Sequence, residues 1–155
     1  GKRIGLLGLG REGQATLAAL RRRGHREPVD VFVDTPTDVP DGARLHTTPD
    51  AFAGLDCVIR SPGFAPTHRL RAALDQYAIP QRTATQLFLR EMRDSGITVI
   101  GLTASKGKST TSTLLHLMLI EAGRDAALVG NIGVPALELM DAILATRPLV
   151  VMVES

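Results

Sequence analysis

The residues best suited to chemistry are Gly107-Lys108-Ser109-Thr110, which follow a loop, Ala104-Ser105-Lys106, and an aliphatic run from Ile97 to Leu102. The run reads as a buried strand, and the apolar density from Leu114 to Ile120 reads as a helix. Strand, tight polar loop and helix together form the context of a phosphate-binding loop. Backbone N–H groups at a helix start lack intrahelical partners, and the helix dipole favours an anion there. Gly107 would let a phosphate approach the backbone, Lys108 would reach the β- and γ-phosphates, and the Ser109 hydroxyl would ligand Mg²⁺. The spacing departs from G-x-x-x-x-G-K-[ST], because Leu102 stands where glycine is usual and Gly101 comes one residue early. The competing reading is an ordinary βα turn that holds a lysine. Lysine usage favours the phosphate loop: of 18 basic residues only Lys2, Lys106 and Lys108 are lysine, and two of these share the loop.

A second glycine pattern lies near the start. Arg3–Gly8 reads as a strand, Gly8-Leu9-Gly10-Arg11-Glu12-Gly13 is G-x-G-x-x-G, and a helix is expected from about Gln14 to Arg23, ending at Gly24. The next strand, Val29–Asp34, ends in an acid 21 residues beyond Gly13. Taken alone this fits a dinucleotide fingerprint, glycines for the turn and an acid for a ribose. A glycine-rich turn in any doubly wound sheet is the plainer reading; a nucleotide at this edge is favoured over it.

Stepping outward, the remaining elements keep a βα rhythm. Short strands are expected at Ala43–His46 and Asp56–Arg60, the latter broken at Ser61-Pro62-Gly63. Thr67 is placed to cap a helix carrying Leu70, Ala73, Leu74 and Tyr77 on one face, and Thr83-x-x-Gln86 resembles the capping box of a helix through Arg93. After the central phosphate-loop segment come a strand at Ala126–Val129 and the turn Gly130-Asn131-Ile132-Gly133. A helix from Pro135 to Ala145 and a strand, Leu149–Val153, follow. That last run reads as a central parallel strand buried on both faces, with Glu154 at its end in position to meet Mg²⁺. Ending one residue later leaves such a sheet uncovered, so the chain is expected to be a piece of something longer.

Composition sets the bounds. With 44% hydrophobic and 22% charged residues, the 155-residue chain reads as a soluble globular α/β protein. Aromatics make up 3%, so Leu, Val, Ile and Ala are expected to build the core. The net charge of +2, and arginines scattered apart from Arg21-Arg22-Arg23 at a helix end, exclude a nucleic-acid patch. Cys57 alone excludes a disulfide framework or cysteine zinc cluster, and is expected to be a buried thiol. His25, His46, His68 and His116 show no metal-ligand spacing. With no signal peptide and no apolar run of membrane length, the cytoplasm is the expected compartment.

In this order and at these separations, the motifs resemble those of the N-terminal part of a Mur ligase. The resemblance rests on Gly8-Leu9-Gly10 with Gly13, Asp34-Thr35, Ser61-Pro62-Gly63, Gly107-Lys108-Ser109-Thr110, Gly130 to Leu137 (GNIGVPAL) and Glu154-Ser155, and covers nearly the whole chain. The family loop carries the same offset in spacing. It implies a Rossmann-like parallel-sheet domain at 1–93 for a UDP-sugar, then the first part of a P-loop ATPase domain at 94–155. The implied reaction is ATP-driven amide formation in peptidoglycan precursor synthesis, in the branch that adds D-glutamate to UDP-N-acetylmuramoyl-L-alanine through an acyl phosphate. Carried over, Lys108 is catalytic, and Ser105, Lys106, Gly107, Lys108, Ser109 and Thr110 bind ATP phosphates. Ser109 and Glu154 serve Mg²⁺. Gly10, Arg11, Glu12 and Gly13 face the pyrophosphate, Asp34 and Thr35 the uridine, Ser61, Pro62 and Gly63 the uracil side or phosphates, and Asn131 the reacting end of the sugar. Three stretches depart from the family: Ala104-Ser105-Lys106 replaces the usual Gly-Thr-Asn, Glu12 stands where a small hydroxyl residue is common, and Pro36 replaces an arginine. The expected whole protein is a cytoplasmic monomer, and the chain alone is expected to be inactive. An NAD-dependent oxidoreductase domain, resting on Gly8–Gly13 and Asp34, and a non-catalytic UDP-sugar-sensing module are the alternatives.

Overall fold

Five short segments build the first sheet. They are β1 (Ile4–Leu7), β2 (Val29–Phe32), β3 (Ala43–His46), β4 (Cys57–Arg60) and β5 (Gln81–Thr83), ordered β3-β2-β1-β4-β5 with every pairing parallel. The computed structural model describes residues 1–61, 64–65, 67–130 and 134–154, for Glu154 the backbone only. The chain divides into two compact units, Gly1–Ala84 and Thr85–Ser155. In the first, the strands run out from β1 to β2 and β3 and then resume on the other side at β4. The order therefore reverses beside β1, where open parallel sheets form a ligand crevice at the strands' C-terminal ends. This is a Rossmann-like α/β arrangement. Helix α1 (Arg11–Arg22) follows β1, and α2 (Arg69–Gln76) follows β4.

The core of this unit is largely Leu and Val, as expected, with two phenylalanines at its centre. Phe32 and Phe52 pack at a tilt with ring centroids 4.1 Å apart, among Leu7, Leu55, Val58, Leu70 and Leu74. Phe32, Phe52 and Phe88 are fully buried. Scarcity in composition does not decide placement, because a large apolar ring gains most from leaving water. Cys57 is half-buried, and burial pushes its thiol up.

Two helix starts also differ from expectation. Helix α1 begins at Arg11, not Gln14, so Arg11, Glu12 and Gly13 form its first turn. Its cap is His68, not Thr67, in the case of α2: the His68 ring accepts the Leu70 N–H at 3.3 Å. Gly13 explains the early start of α1. A Cβ at position 13 would sit 2.3 Å from the Gly8 carbonyl oxygen, so only glycine lets the helix pack this close to the end of β1. At Gly10 a Cβ would meet nothing within 4 Å.

β2 buries all four of its residues, including Asp30, which is 2% exposed. Arg44 on β3 donates to both carboxylate oxygens at 2.9 Å, His46 Nε2 lies 2.8 Å from Oδ1, and Arg3 Nη2 lies 3.8 Å from Oδ2. Burial pushes the Asp30 carboxyl up, but the hydrogen bonds and charges of Arg44 and His46 outweigh it and hold it below its ordinary value.

The second unit carries α3 (Ala84–Asp94, its first residue in the first unit), β6 (Val99–Thr103), α4 (Lys108–Glu121), β7 (Ala126–Gly130), α5 (Ala136–Thr146) and β8 (Leu149–Glu154). Its sheet is parallel in the order β6-β8-β7. The apolar run Val150–Val153 is buried at its centre, as a strand covered on both faces must be. Pro135 is the N-cap of α5, one residue outside the helix it was expected to begin. Helix α4 packs on β7 and β8, while Leu114, Leu117, Met118 and Ile120 stay exposed. Among the described residues no helix is long and apolar enough to cross a membrane.

Two outcomes test this packing. Asp30→Asn is expected to lower stability by about 3 kcal/mol at pH 7, since it strands the cations around a buried site. The readout is the urea midpoint by fluorescence of Tyr77, the sole tyrosine in a chain without tryptophan. Because the folded pKa is depressed, the carboxylate's contribution is complete above its unfolded value of about 4 and fades as pH falls through the folded value. The gap between wild type and variant should therefore narrow in acid; a variant with the wild-type midpoint at pH 7 contradicts the account. In the same assay Gly13→Ala should cost about 2 kcal/mol by overpacking, and Gly10→Ala less than about 1 kcal/mol.

Candidate functional site

Each unit presents one glycine-opened helix at the C-terminal end of a strand. In the second unit the β6–α4 loop surrounds a cavity of about 340 Å³, lined by Gly101, Thr103, Ala104, Lys106, Gly107 and Lys108 together with Leu102 and Thr111. Gly107 takes φ +78 as the N-cap of α4, a conformation that favours glycine, and a Cβ there would meet nothing within 4 Å. The first intrahelical bond runs from Thr111 N–H to the Gly107 carbonyl at 3.0 Å. The N–H groups of Lys108, Ser109 and Thr110 precede it and have no partner one turn back within the helix.

The two lysines differ in state. The Lys108 ammonium donates to the Ala104 carbonyl, closing the loop on itself. Lys106 is exposed and makes no hydrogen bond or ion pair among the described residues. Ser105, Ser109 and Thr110 are exposed beside the cavity without lining it, whereas Thr111, not singled out by sequence, does line it. The Ser112 hydroxyl is buried and donates to the Ser109 carbonyl at 3.0 Å, fixing the first turn from below. The register of β6 and β8 pairs Thr103 with Glu154, so the expected metal ligand ends the strand next to the one that enters the loop.

In the first unit the ends of β1 and β4 meet. Ser61 N–H donates to the Leu7 carbonyl at 2.9 Å, and a Cβ on Gly8 would lie 3.1 Å from Ser61 Oγ and 2.7 Å from the Phe64 ring. Gly10 and Arg11 are exposed at the start of α1, Glu12 is half-buried and Gly13 buried. Asp34 and Thr35 follow β2 at the same edge of the sheet, both exposed. Pro62, Gly63 and Asn131 lie outside the described residues.

Asp34 is already engaged. His68 Nδ1 accepts the Leu70 N–H, so the ring proton sits on Nε2, which donates to Asp34 Oδ2 at 2.7 Å. Arg69 Nε and Nη2 each lie 3.1 Å from Oδ1, and Nη1 donates to the Thr47 carbonyl at 3.2 Å. The Phe64 ring stands edge-on to His68 with centroids 4.5 Å apart. Sequence reasoning missed His68 and Arg69, which lie 34 and 35 residues from their partner; the one available signal was two donor side chains at a helix start soon after the strand-breaking Ser61-Pro62-Gly63.

Among the described residues no group of three or more histidines, cysteines and carboxylates could hold a metal. A nucleotide-borne Mg²⁺ needs no such group, because it keeps several waters and takes one or two protein ligands beside the phosphates. The Ser109 hydroxyl and the strand-end position of Glu154 fit that demand.

No family model matches the chain. Curated proteins do. It is 37% identical over 152 residues to the UDP-N-acetylmuramoyl-L-alanine--L-glutamate ligase of Micromonospora sp. (strain ATCC 39149 / NRRL 15099 / SCC 1413), covering 92% of this chain and 33% of that protein. The ligase of the same description from Salinispora tropica is 36% identical over 149 residues, covering 90% of this chain and 33% of its own length. That of Xanthomonas euvesicatoria pv. vesicatoria is 35% identical over 151 residues, with coverage of 90% and 32%. Among solved structures, the UDP-N-acetylmuramate-alanine ligase of Thermotoga maritima superposes with a TM-score of 0.49 at 13% identity, over 98% of this chain and 37% of that one. Over nine-tenths of its length the chain is thus a homologue of the Mur ligases named for joining glutamate to UDP-N-acetylmuramoyl-L-alanine, and it spans about a third of them.

Proposed function

We propose that the chain carries the nucleotide-binding machinery of an ATP-dependent ligase that joins glutamate to UDP-N-acetylmuramoyl-L-alanine. The observation that carries this reading is the 37% identity over 152 residues, joined to a glycine-opened helix beside a cavity with two lysines. In the reaction, the lactyl-alanine carboxylate attacks the γ-phosphorus of ATP and ADP leaves. The amine of glutamate then attacks the acyl phosphate, losing a proton as inorganic phosphate departs. The relatives' names support L-glutamate as acceptor, rather than the D-isomer implied by motif resemblance.

Catalysis of phosphoryl transfer is mostly positioning and charge stabilisation. The N–H groups of Gly107 to Thr110, with the Ser105 and Thr110 hydroxyls, hold the phosphates in this scheme. Lys108 leaves the Ala104 carbonyl to meet the β- and γ-phosphates and to offset charge as the phosphoryl group moves. Lys106 supplies a second cation at the same mouth. Ser109 and Glu154 would hold Mg²⁺, which would supply charge neutralisation when bound. In the first unit, the N–H groups at the start of α1, with Gly10, Arg11 and Gly13, receive the pyrophosphate, Arg11 offsetting the neighbouring Glu12. Asp34 and Thr35 border the uridine; the motif resemblance assigns Ser61, Pro62 and Gly63 to the uracil side or the phosphates, and assigns Asn131, in the second unit, to the UDP-sugar. Both nucleotide sites come from one copy of the chain, which supports a monomer. Its two nucleotide substrates support a cytoplasmic setting. By itself the chain binds these ligands without turning them over.

The test is calorimetric. Lys108→Ala should weaken Mg·ATP binding by about 100-fold, the loss of a charge-assisted phosphate contact in a shielded loop. It should leave the affinity for UDP-N-acetylmuramoyl-L-alanine within about twofold. Unchanged Mg·ATP affinity in the variant sinks the assignment of the loop.

A further inference from the structure

Resting on the reading of the first unit as a UDP-sugar site, we propose that Arg60 is a further binding residue of that site, donating charge-assisted hydrogen bonds to the ligand's pyrophosphate. Arg60 closes β4 at the C-terminal edge of the sheet, in register with Leu7 of β1 and Thr83 of β5. Neighbouring strands lie about 4.8 Å apart, so Arg60 stands one strand spacing from the residue that leads into the glycine turn. The strand order reverses here, where open parallel sheets take their ligands. The next residue, Ser61, donates its N–H to the Leu7 carbonyl at 2.9 Å, and its Oγ borders Gly8.

Arg60 differs from its neighbours in lacking a counter-charge. Arg3 and Arg44 lie against Asp30, and Arg69 is bonded to Asp34. Arg21 gives its guanidinium to the carbonyls of His25, Glu27 and Gly42. Arg71, on α2, donates to the Phe64 carbonyl at 3.0 Å and so pins the segment that follows β4. Arg60 is half-buried, yet makes no hydrogen bond or ion pair among the described residues. Taking a cation partly out of water without a partner is unfavourable, and an anion bound at the same edge offsets that cost. The proposed ligand brings two phosphates to this edge, and a guanidinium presents a planar fork of donors that matches phosphate oxygens.

The experiment compares calorimetric affinities for UDP-N-acetylmuramoyl-L-alanine, UDP and uridine, the last by displacement of UDP. It uses wild type, Arg60→Gln, Arg60→Lys and Arg26→Gln. Arg26 is an exposed arginine ahead of β2, at the opposite edge of the sheet, and controls for the loss of one positive charge. Arg60→Gln should weaken both diphosphate ligands by about 30-fold, the worth of a hydrogen bond to a charged group. It should leave uridine within about twofold, since the nucleoside carries no phosphate. Arg60→Lys, which keeps the charge but not the fork, should weaken the diphosphates about fivefold, and it serves alone if glutamine at this position prevents folding. Arg26→Gln should change no affinity by more than about twofold. Wild-type diphosphate affinity in the folded Arg60 variants, or a loss shared equally by uridine or by Arg26→Gln, overturns the assignment of Arg60 while leaving the UDP-sugar site standing. Wild type that binds neither UDP nor UDP-N-acetylmuramoyl-L-alanine overturns the proposed function itself, and this inference with it.

Discussion

A parallel strand that runs straight into a helix gathers the helix's first N–H groups at one edge of the sheet, and the candidate site of each unit lies at that edge. Both units are built this way, β1 feeding α1 and β6 feeding α4. The glycines serve the edge differently. Gly13 is demanded by packing, because α1 lies against the Gly8 carbonyl. Gly107 is demanded by its left-handed backbone and by the open space a phosphate would fill. A helix dipole favours an anion at such an end, and in the second unit Lys106 and Lys108 line the cavity beside it.

Two aspartates four residues apart in the second strand segment then divide structural from ligand-directed electrostatics. Asp30 is buried between β2 and β3, where Arg44, His46 and Arg3 neutralise it and lock the register that carries the strand ends. Asp34, beyond the strand, is half exposed and is bonded by His68 and Arg69 at the start of α2. The first interaction stabilises the unit. The second ties the start of α2 to the ends of β2 and β3.

Much of this was legible in the residues, and the limits have physical causes. β-branched runs bounded by glycine located β2, β6, β7 and β8 within two residues, because local burial and turn chemistry act over short spans. The central position of β8 followed from its unbroken apolar run. The early start of α1 was hidden, since Gly13 reads as a turn residue until the Gly8 carbonyl is seen above it. The aliphatic make-up of the core followed from composition, but the place of Phe32 and Phe52 within it did not, because composition says how many phenylalanines exist and not where they pack. His68 and Arg69 could not be tied to Asp34 from spacing alone; only the neighbouring of β1, β2 and β4 brings them together. Within the β6–α4 loop, sequence named the lysines but not their states, the one closed on Ala104 and the other without a partner among the described residues.

The central claim is that two nucleotide sites of different kinds sit on one chain, a UDP-sugar in the first unit and Mg·ATP in the second. Parallel calorimetric titration of the unaltered chain with UDP-N-acetylmuramoyl-L-alanine, Mg·ATP and NADH tests it most directly. The account predicts saturable binding of the first two, each at one site and neither displacing the other, with no heat from NADH. Binding of NADH without the UDP-sugar, or mutual displacement of the UDP-sugar and ATP, would contradict it.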